Sequence, residues 1–170
     1  MAKVAVVTGS SSGIGYETSL LLARNQIKTY ATMRNMSKSE GLIKIASDEN
    51  LQLNVAQLDV NDDLSVNKAI DKIVKDNDRI DVLINNAGYD LFGPLEESSL
   101  EEIKQQFETN FFGVIRTTKA VIPTMRKQGK GTIINISSVG GKSWPISIFN
   151  CVSCKQVCHR RFHRISETRT

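Results

Sequence analysis

From Val4 to Ile136 the sequence alternates short runs of β-branched and other apolar residues with longer amphipathic stretches. Few architectures accept that alternation; a parallel sheet wrapped by helices is the one it specifies. Strands are expected at Val4 to Val7, Lys28 to Thr32, Leu53 to Leu58, Asp81 to Asn85 and Thr132 to Ile136. Helices are expected at Gly13 to Arg24, Ser37 to Ser47, Asp62 to Asn77 and, as one long element, Ser99 to Gln128. In the third, Leu64, Ile70, Ile73 and Val74 fall near helical spacing, and Asp62 and Asp63 suit a helix start, where carboxylates meet free N–H groups. Successive βα units make a doubly wound sheet, whose ligands sit beyond the carboxyl ends of the strands where the winding reverses. The loops after each strand are therefore the places to look for function.

Composition narrows the class. The chain has 170 residues, 40% apolar and 24% charged, which suits one soluble domain. No run approaches a membrane span, and the start lacks a signal peptide's charged and apolar regions, so a cytoplasmic chain is expected. Residues 1–150 hold 17 Lys and Arg against 17 Asp and Glu with no Cys or His, whereas residues 151–170 hold 5 Lys and Arg, one acid, all 3 Cys and both His. The net charge of +4 thus belongs to the tail. It is no nucleic-acid footprint of the body, and no nucleic-acid partner is expected. The expected organisation is a dinucleotide-binding domain over 1–150 and an atypical basic Cys/His tail over 151–170.

Thr8-Gly9-Ser10-Ser11-Ser12-Gly13-Ile14-Gly15 follows the first strand directly and opens the first helix. Glycines there allow a tight turn, close approach of backbone to a pyrophosphate and close packing of helix on sheet, while the helix N-terminus offers N–H groups to phosphates. With the strand and helix in place, Gly9, Ser11, Ser12, Gly13, Ile14 and Gly15 are candidate cofactor-binding residues of an α/β, Rossmann-like doubly wound parallel sheet.

The Gly-x3-Gly-x-Gly spacing resembles the short-chain dehydrogenase/reductase family. Four further segments extend the resemblance over about residues 1–142: Asn85-Asn86-Ala87-Gly88 after the fourth strand, Asp59-Val60 after the third, Asn110 with Gly113 in an Asn-x-x-Gly segment, and Ser137-Ser138 after the fifth strand. The resemblance implies hydride transfer between a nicotinamide cofactor and a small-molecule carbonyl or secondary alcohol. In it Ser138 would hydrogen-bond the substrate oxygen, Asn110 would hold a water of a proton relay, Asp59 and Val60 would meet the adenine, and Asn86, Ala87 and Gly88 the ribose. Asn is a poor helix former, so a side-chain task for Asn110 is in keeping with its position. Arg34 ends the second strand, where an NAD-preferring site usually places an acid; a guanidinium can pair with a 2′-phosphate, which favours NADP(H) over NAD(H). Tyr89 to Pro94, with Leu91 and Phe92, could border a substrate pocket. Tyr-Ala-Thr-Met-Arg and Leu-Phe-Gly-Pro-Leu-Glu look like the branch handling hydroxysteroids, retinoids and similar apolar alcohols.

The pattern then breaks. The resemblance calls for a Tyr-x3-Lys pair, the phenol exchanging a proton while the ammonium lowers its pKa. Thirteen residues past Ser138 stands Cys151, with Lys155 four later. A thiol is too short to reach the place of a phenol oxygen, so neither is expected to complete the site. Cys151, Cys154, Cys158, His159 and His163 have zinc-like spacings, but the stretch shows no periodicity to build a second shell, and no metal is expected. Back-translating residues 151–170 with suitable synonymous codons and reading one nucleotide later gives Ala-Tyr-His-Ala-Ser-Lys-Phe-Ala-Ile-Glu-Gly-Phe, which contains the missing pair. An out-of-frame tail, slipping between Lys142 and Cys151, is the expectation. The sheet should then be incomplete on its C-terminal side, with an apolar edge at Thr132 to Ile136 and without the helices that make relatives homo-oligomeric.

Overall fold

A computed structural model describes residues 2–91 and 95–137. Strands β1 (Val4–Val7), β2 (Lys28–Met33), β3 (Leu53–Gln57), β4 (Val82–Asn85) and β5 (Thr132–Asn135) form one sheet in the order β3-β2-β1-β4-β5, every neighbouring pair parallel. The chain winds outward from β1 to β3, then crosses back to lay β4 against the other side of β1. The switch point therefore falls between β1 and β4, where a crevice opens beyond their carboxyl ends.

Parallel strands are covered on both faces, which is why β1 is four buried residues without polar alternation. Val6 pairs with Tyr30 and Leu83 in register, and these three pack with Val66, Ile70 and Ile73 and with Val121 and Met125 on one face. Ala31 and Met33 point to the other face and pack with Leu20 and Leu42. β5 lies at an edge of the described sheet, and Ile134 is exposed there.

Helix α1 (Gly13–Arg24) has the expected bounds, and α3 (Asp63–Asn77) starts where Asp62 caps it, its carboxylate accepting from the Leu64 N–H at 2.8 Å. The second expected helix divides into a 3-10 turn (Met36–Lys38) and α2 (Glu40–Asp48). Short polar side chains compete with the helix there: Asn35 Oδ1 accepts from both the N–H and the hydroxyl of Ser37, and the Ser39 hydroxyl donates to the Met36 carbonyl.

The long helix expected over Ser99 to Gln128 is corrected more substantially. It consists of α4 (Leu100–Phe107), a π-helical segment (Glu108–Phe112) and α5 (Gly113–Lys127). Ser99 and Glu102 form a capping box at its start. A π turn inserts an extra residue into the helical ladder and often marks a functional site. Here Asn110 lies in the widened turn and is buried. No helix among the described residues is long and apolar enough to cross a membrane.

At the opposite end of the sheet, the backbones of Val4 and Asp81 are joined, and the Asp81 carboxylate accepts from the Val4 N–H at 2.8 Å and from Arg79 at 2.6 and 2.8 Å. Burial pushes the Asp81 carboxyl up, but the Arg79 guanidinium and the Val4 N–H outweigh it and hold it below the ordinary carboxylate value.

Candidate functional site

The loops after β1 and β4 are stitched together by one threonine and one asparagine. Thr8 is buried, and its hydroxyl oxygen accepts from the N–H groups of Asn86 and Ala87, both at 3.0 Å. The Asn86 amide nitrogen in turn donates to the carbonyls of Thr8 and Gly9, both at 3.0 Å. This packing leaves no room for a side chain at Gly9: its φ is +69°, and an added Cβ would lie 2.7 Å from the Ala87 Cα. Gly15 is buried against the Gly9 carbonyl and the Asn86 amide, so the first turn of α1 presses directly on the loop below it.

A cleft of about 610 Å³ opens above this floor. Gly9, Ser11, Ser12 and Ile14 line it from the glycine loop, and Asn86, Ala87 and Gly88 from the loop after β4. Ser12 is the N-cap of α1 and makes no side-chain cap bond, so the helix presents its free N–H end to the cleft. Arg34 lines the cleft beyond β2, and Asp59 and Val60 line it beyond β3. Gly13 and Gly15 are not part of the lining; they shape the turn beneath it. Gly9 and Gly15, which leave no room for a Cβ against Ala87, Asn86 and the Gly9 carbonyl, let this turn lie close on the loop after β4, and the uncapped helix end beside it could hold a dinucleotide's diphosphate.

Asn110 reaches the cleft from the π segment. It is 1% exposed, so its amide faces the protein and the cleft instead of solvent. Its Oδ1 accepts from the Tyr89 N–H at 2.9 Å and its Nδ2 donates to the Tyr89 carbonyl at 2.7 Å. Asn85, also buried, bonds Thr117 and Thr118 of α5 and Asn135 of β5, which fixes the end of β5 beside β4. Ile136 and Ser137 follow and line the cleft. Ser138, Cys151 and Lys155 lie outside the described residues, as do Phe92 to Pro94 and the Cys/His tail. Among the described residues, no group of three or more His, Cys, Asp or Glu could hold a metal ion.

Several contributors escaped the sequence reading. Thr8 looked like the edge of a glycine motif, although a threonine closing a buried strand is a signal for exactly this kind of stitching role. Gln106, buried in α4, donates to the Tyr89 carbonyl at 3.4 Å. Asn35 and Lys38 line the cleft near Arg34, so its described cations, Arg34 and Lys38, come from one segment. Asn61 and Thr109 line it too and bond each other at 2.9 Å.

The sequence matches the family model described as short chain dehydrogenase over residues 3–156. The 3-ketodihydrosphingosine reductase of Bacteroides thetaiotaomicron is 40% identical over 139 residues, covering 82% of this chain and 48% of that protein. Retinol dehydrogenase 8 of Homo sapiens is 45% identical over 143 residues, covering 82% of this chain and 45% of that one. An actinorhodin polyketide ketoreductase solved with NADPH superposes with a TM-score of 0.85 at 29% identity, covering 92% of this chain and 60% of that one. The chain spans about half the length of the curated relatives it matches.

Proposed function

The chain belongs to the short-chain dehydrogenase family, and from that premise we propose that its cleft binds NADP(H) for hydride exchange with a carbonyl or secondary alcohol. The observation that carries this reading is the convergence, at the switch point between β1 and β4, of the glycine loop, the Asn86 to Gly88 loop and Asn110, with Arg34 and Lys38 lining the same cleft. Bound there, the nicotinamide supplies or accepts the hydride. The chain's own residues hold the diphosphate on backbone N–H groups at Ser11 to Ile14, receive the adenine between Asp59 and Val60, and neutralise a 2′-phosphate with Arg34. Ser138, one residue beyond the cleft-lining Ser137, is proposed to orient the substrate oxygen, with Asn110 holding the neighbouring backbone for the relay. Apolar substrates are favoured by the names of the two relatives, a ketosphingosine reductase and a retinol dehydrogenase.

Turnover needs a proton donor in addition, and the sequence supplies Cys151 and Lys155 where the family resemblance calls for Tyr and Lys. We infer that the written chain binds nucleotide without turning over substrate and that the encoding DNA slips frame between Lys142 and Cys151. The same feature favours a second reading, a non-catalytic dinucleotide-binding module. Titration with NADPH and NADH, followed by a turnover assay on a panel of apolar alcohols and ketones, tests the first proposal. Tighter binding of NADPH than of NADH supports the cofactor reading and no binding of either nucleotide overturns it; binding without turnover favours the module, and robust turnover would overturn the inference that the tail leaves the site incomplete. Sequencing the DNA across residues 142–155 separates the readings, because an uninterrupted frame in independent clones favours the module.

A further inference from the structure

One guanidinium outside the cleft joins the loop after β3 and the π segment, both of which line it, to the start of α3. Arg116, in the first turn of α5, has a side chain only 22% exposed. Its Nη1 donates to the Val60 carbonyl at 2.9 Å, its Nε pairs with Asp63 at the start of α3 at 2.8 Å, and its Nη2 pairs with Glu108 of the π segment. Two independent contacts reinforce the join. Asn61 bonds Thr109, and an added Cβ on Gly113 would lie 2.9 Å from the Val60 side chain. The loop after β3 is thus fastened to the π segment, and the π segment holds Asn110, which brackets the Tyr89 peptide on the far side of the cleft.

We propose that Arg116 is a positioning residue of the nucleotide site: by holding the Val60 carbonyl and Glu108 together, it fixes the adenine-side wall and couples it to the Asn110–Tyr89 contact. Arg116 does not itself line the cleft, so it acts through Val60 and the π segment. An exposed ion pair of this composition would contribute little. The Asp63 carboxylate is 74% exposed, so that pair adds little; the weight of the fork lies in holding the half-buried Glu108 and the Val60 carbonyl at once, and removing the guanidinium releases both. The proposal rests on the cleft being a nucleotide site, but the coupling has a readout that needs no nucleotide.

The test uses the full chain with Arg116→Met, Arg116→Lys and Glu108→Gln. Amide hydrogen exchange without ligand should quicken in Arg116→Met at residues 59–61 and at Tyr89, while β1 and β4 keep their protection. Affinities for NADPH and for adenosine 2′,5′-bisphosphate should fall together by about tenfold, the scale of one lost charge-assisted bond. Arg116→Lys, keeping the charge without the fork, should recover part of both effects. Glu108→Gln leaves the Val60 bond in place, so exchange should quicken at Tyr89 while residues 59–61 stay protected; this variant decides the matter if Arg116→Met does not fold. Unchanged exchange at Tyr89 in both variants, or protection lost evenly across the sheet, would overturn the proposal. A wild-type chain that binds neither nucleotide refutes the cofactor reading, and the exchange pattern still decides the coupling.

Discussion

The side chain of Asn110 pairs with both backbone groups of Tyr89, accepting from its N–H at 2.9 Å and donating to its carbonyl at 2.7 Å. An asparagine amide has one donor end and one acceptor end, which is what a single extended residue offers in return. The segment after Gly88 is thereby held at the cleft without a strand to pair with. Asn110→Leu keeps the volume and removes both bonds, leaving a part-buried N–H with no replacement and the carbonyl with only the 3.4 Å contact from Gln106. Urea unfolding should show a loss of about 2–4 kcal/mol, and NADPH binding should weaken in parallel. Asn110→Asp retains the acceptor but sets a negative oxygen against the Tyr89 carbonyl, so it should not recover wild-type stability.

Gly9 and Gly13 share a left-handed backbone, with φ of +69° and +60°, but differ in their surroundings. Nothing lies within 4 Å of a Cβ on Gly13, whereas one on Gly9 would meet the Ala87 Cα at 2.7 Å. Gly13→Ala should therefore cost about 1 kcal/mol, the backbone penalty alone. Gly9→Ala must also part the two loops that Thr8 and Asn86 stitch together; it should cost about 3 kcal/mol or more and abolish nucleotide binding. Paired urea and NADPH titrations of the two variants measure the difference.

The strands were legible to within one residue because short apolar runs set between turn residues stand out, most clearly in Val4–Val7, which is buried on both faces. The glycine loop was legible for a similar reason: its backbone shape demands residue types that stand out. Asn110 was legible as a residue with a task, but the π turn that buries it was not. An insertion in a helical ladder changes no periodicity strongly enough to separate Ser99 to Gln128 into parts, and the contacts that favour it, Asn110 to Tyr89 and Gly113 against Val60, span 21 and 53 positions. Arg116 was invisible for the same reason. Its partners Val60, Asp63 and Glu108 are ordinary residues until the fold assembles them.

Asp81 should govern part of the acid limb of stability. Its burial works against ionisation, yet Arg79 and the Val4 N–H hold its carboxyl below the ordinary value. A carboxyl with a lower pKa folded than unfolded contributes stability above the unfolded value, near ~4, and that contribution is lost as pH falls through the folded value. The urea midpoint should accordingly decline below about pH 4. Asp81→Asn should lower stability at neutral pH by about 2 kcal/mol, since it leaves Arg79 without its anion, and should flatten the decline between about pH 5 and 3. A residual slope remains from Glu102 and Glu49, whose carboxyls are held low by Ser99 and Arg24. Equal slopes in the variant and the wild type would remove Asp81 from this account.

Arg34 is the residue on which cofactor preference should turn. It is exposed, lines the cleft directly after β2, and shares that segment with Lys38 and no acid. A guanidinium there gains a charge-assisted bond to a 2′-phosphate and nothing comparable from a 2′-hydroxyl. Arg34→Ala should weaken NADPH by about tenfold while leaving NADH within about twofold, and adding Lys38→Ala should widen the loss for NADPH alone. Because both cations are exposed, the NADPH preference proposed for the wild type should shrink as salt is raised and the Debye length falls to about 3 Å at 1 M. Fluorescence titration of both nucleotides at low and high salt reads all of these quantities. If Arg34→Ala weakened NADH as much as NADPH, the guanidinium would be serving the diphosphate or the adenine, and the preference for the phosphorylated cofactor would have to come from elsewhere in the cleft.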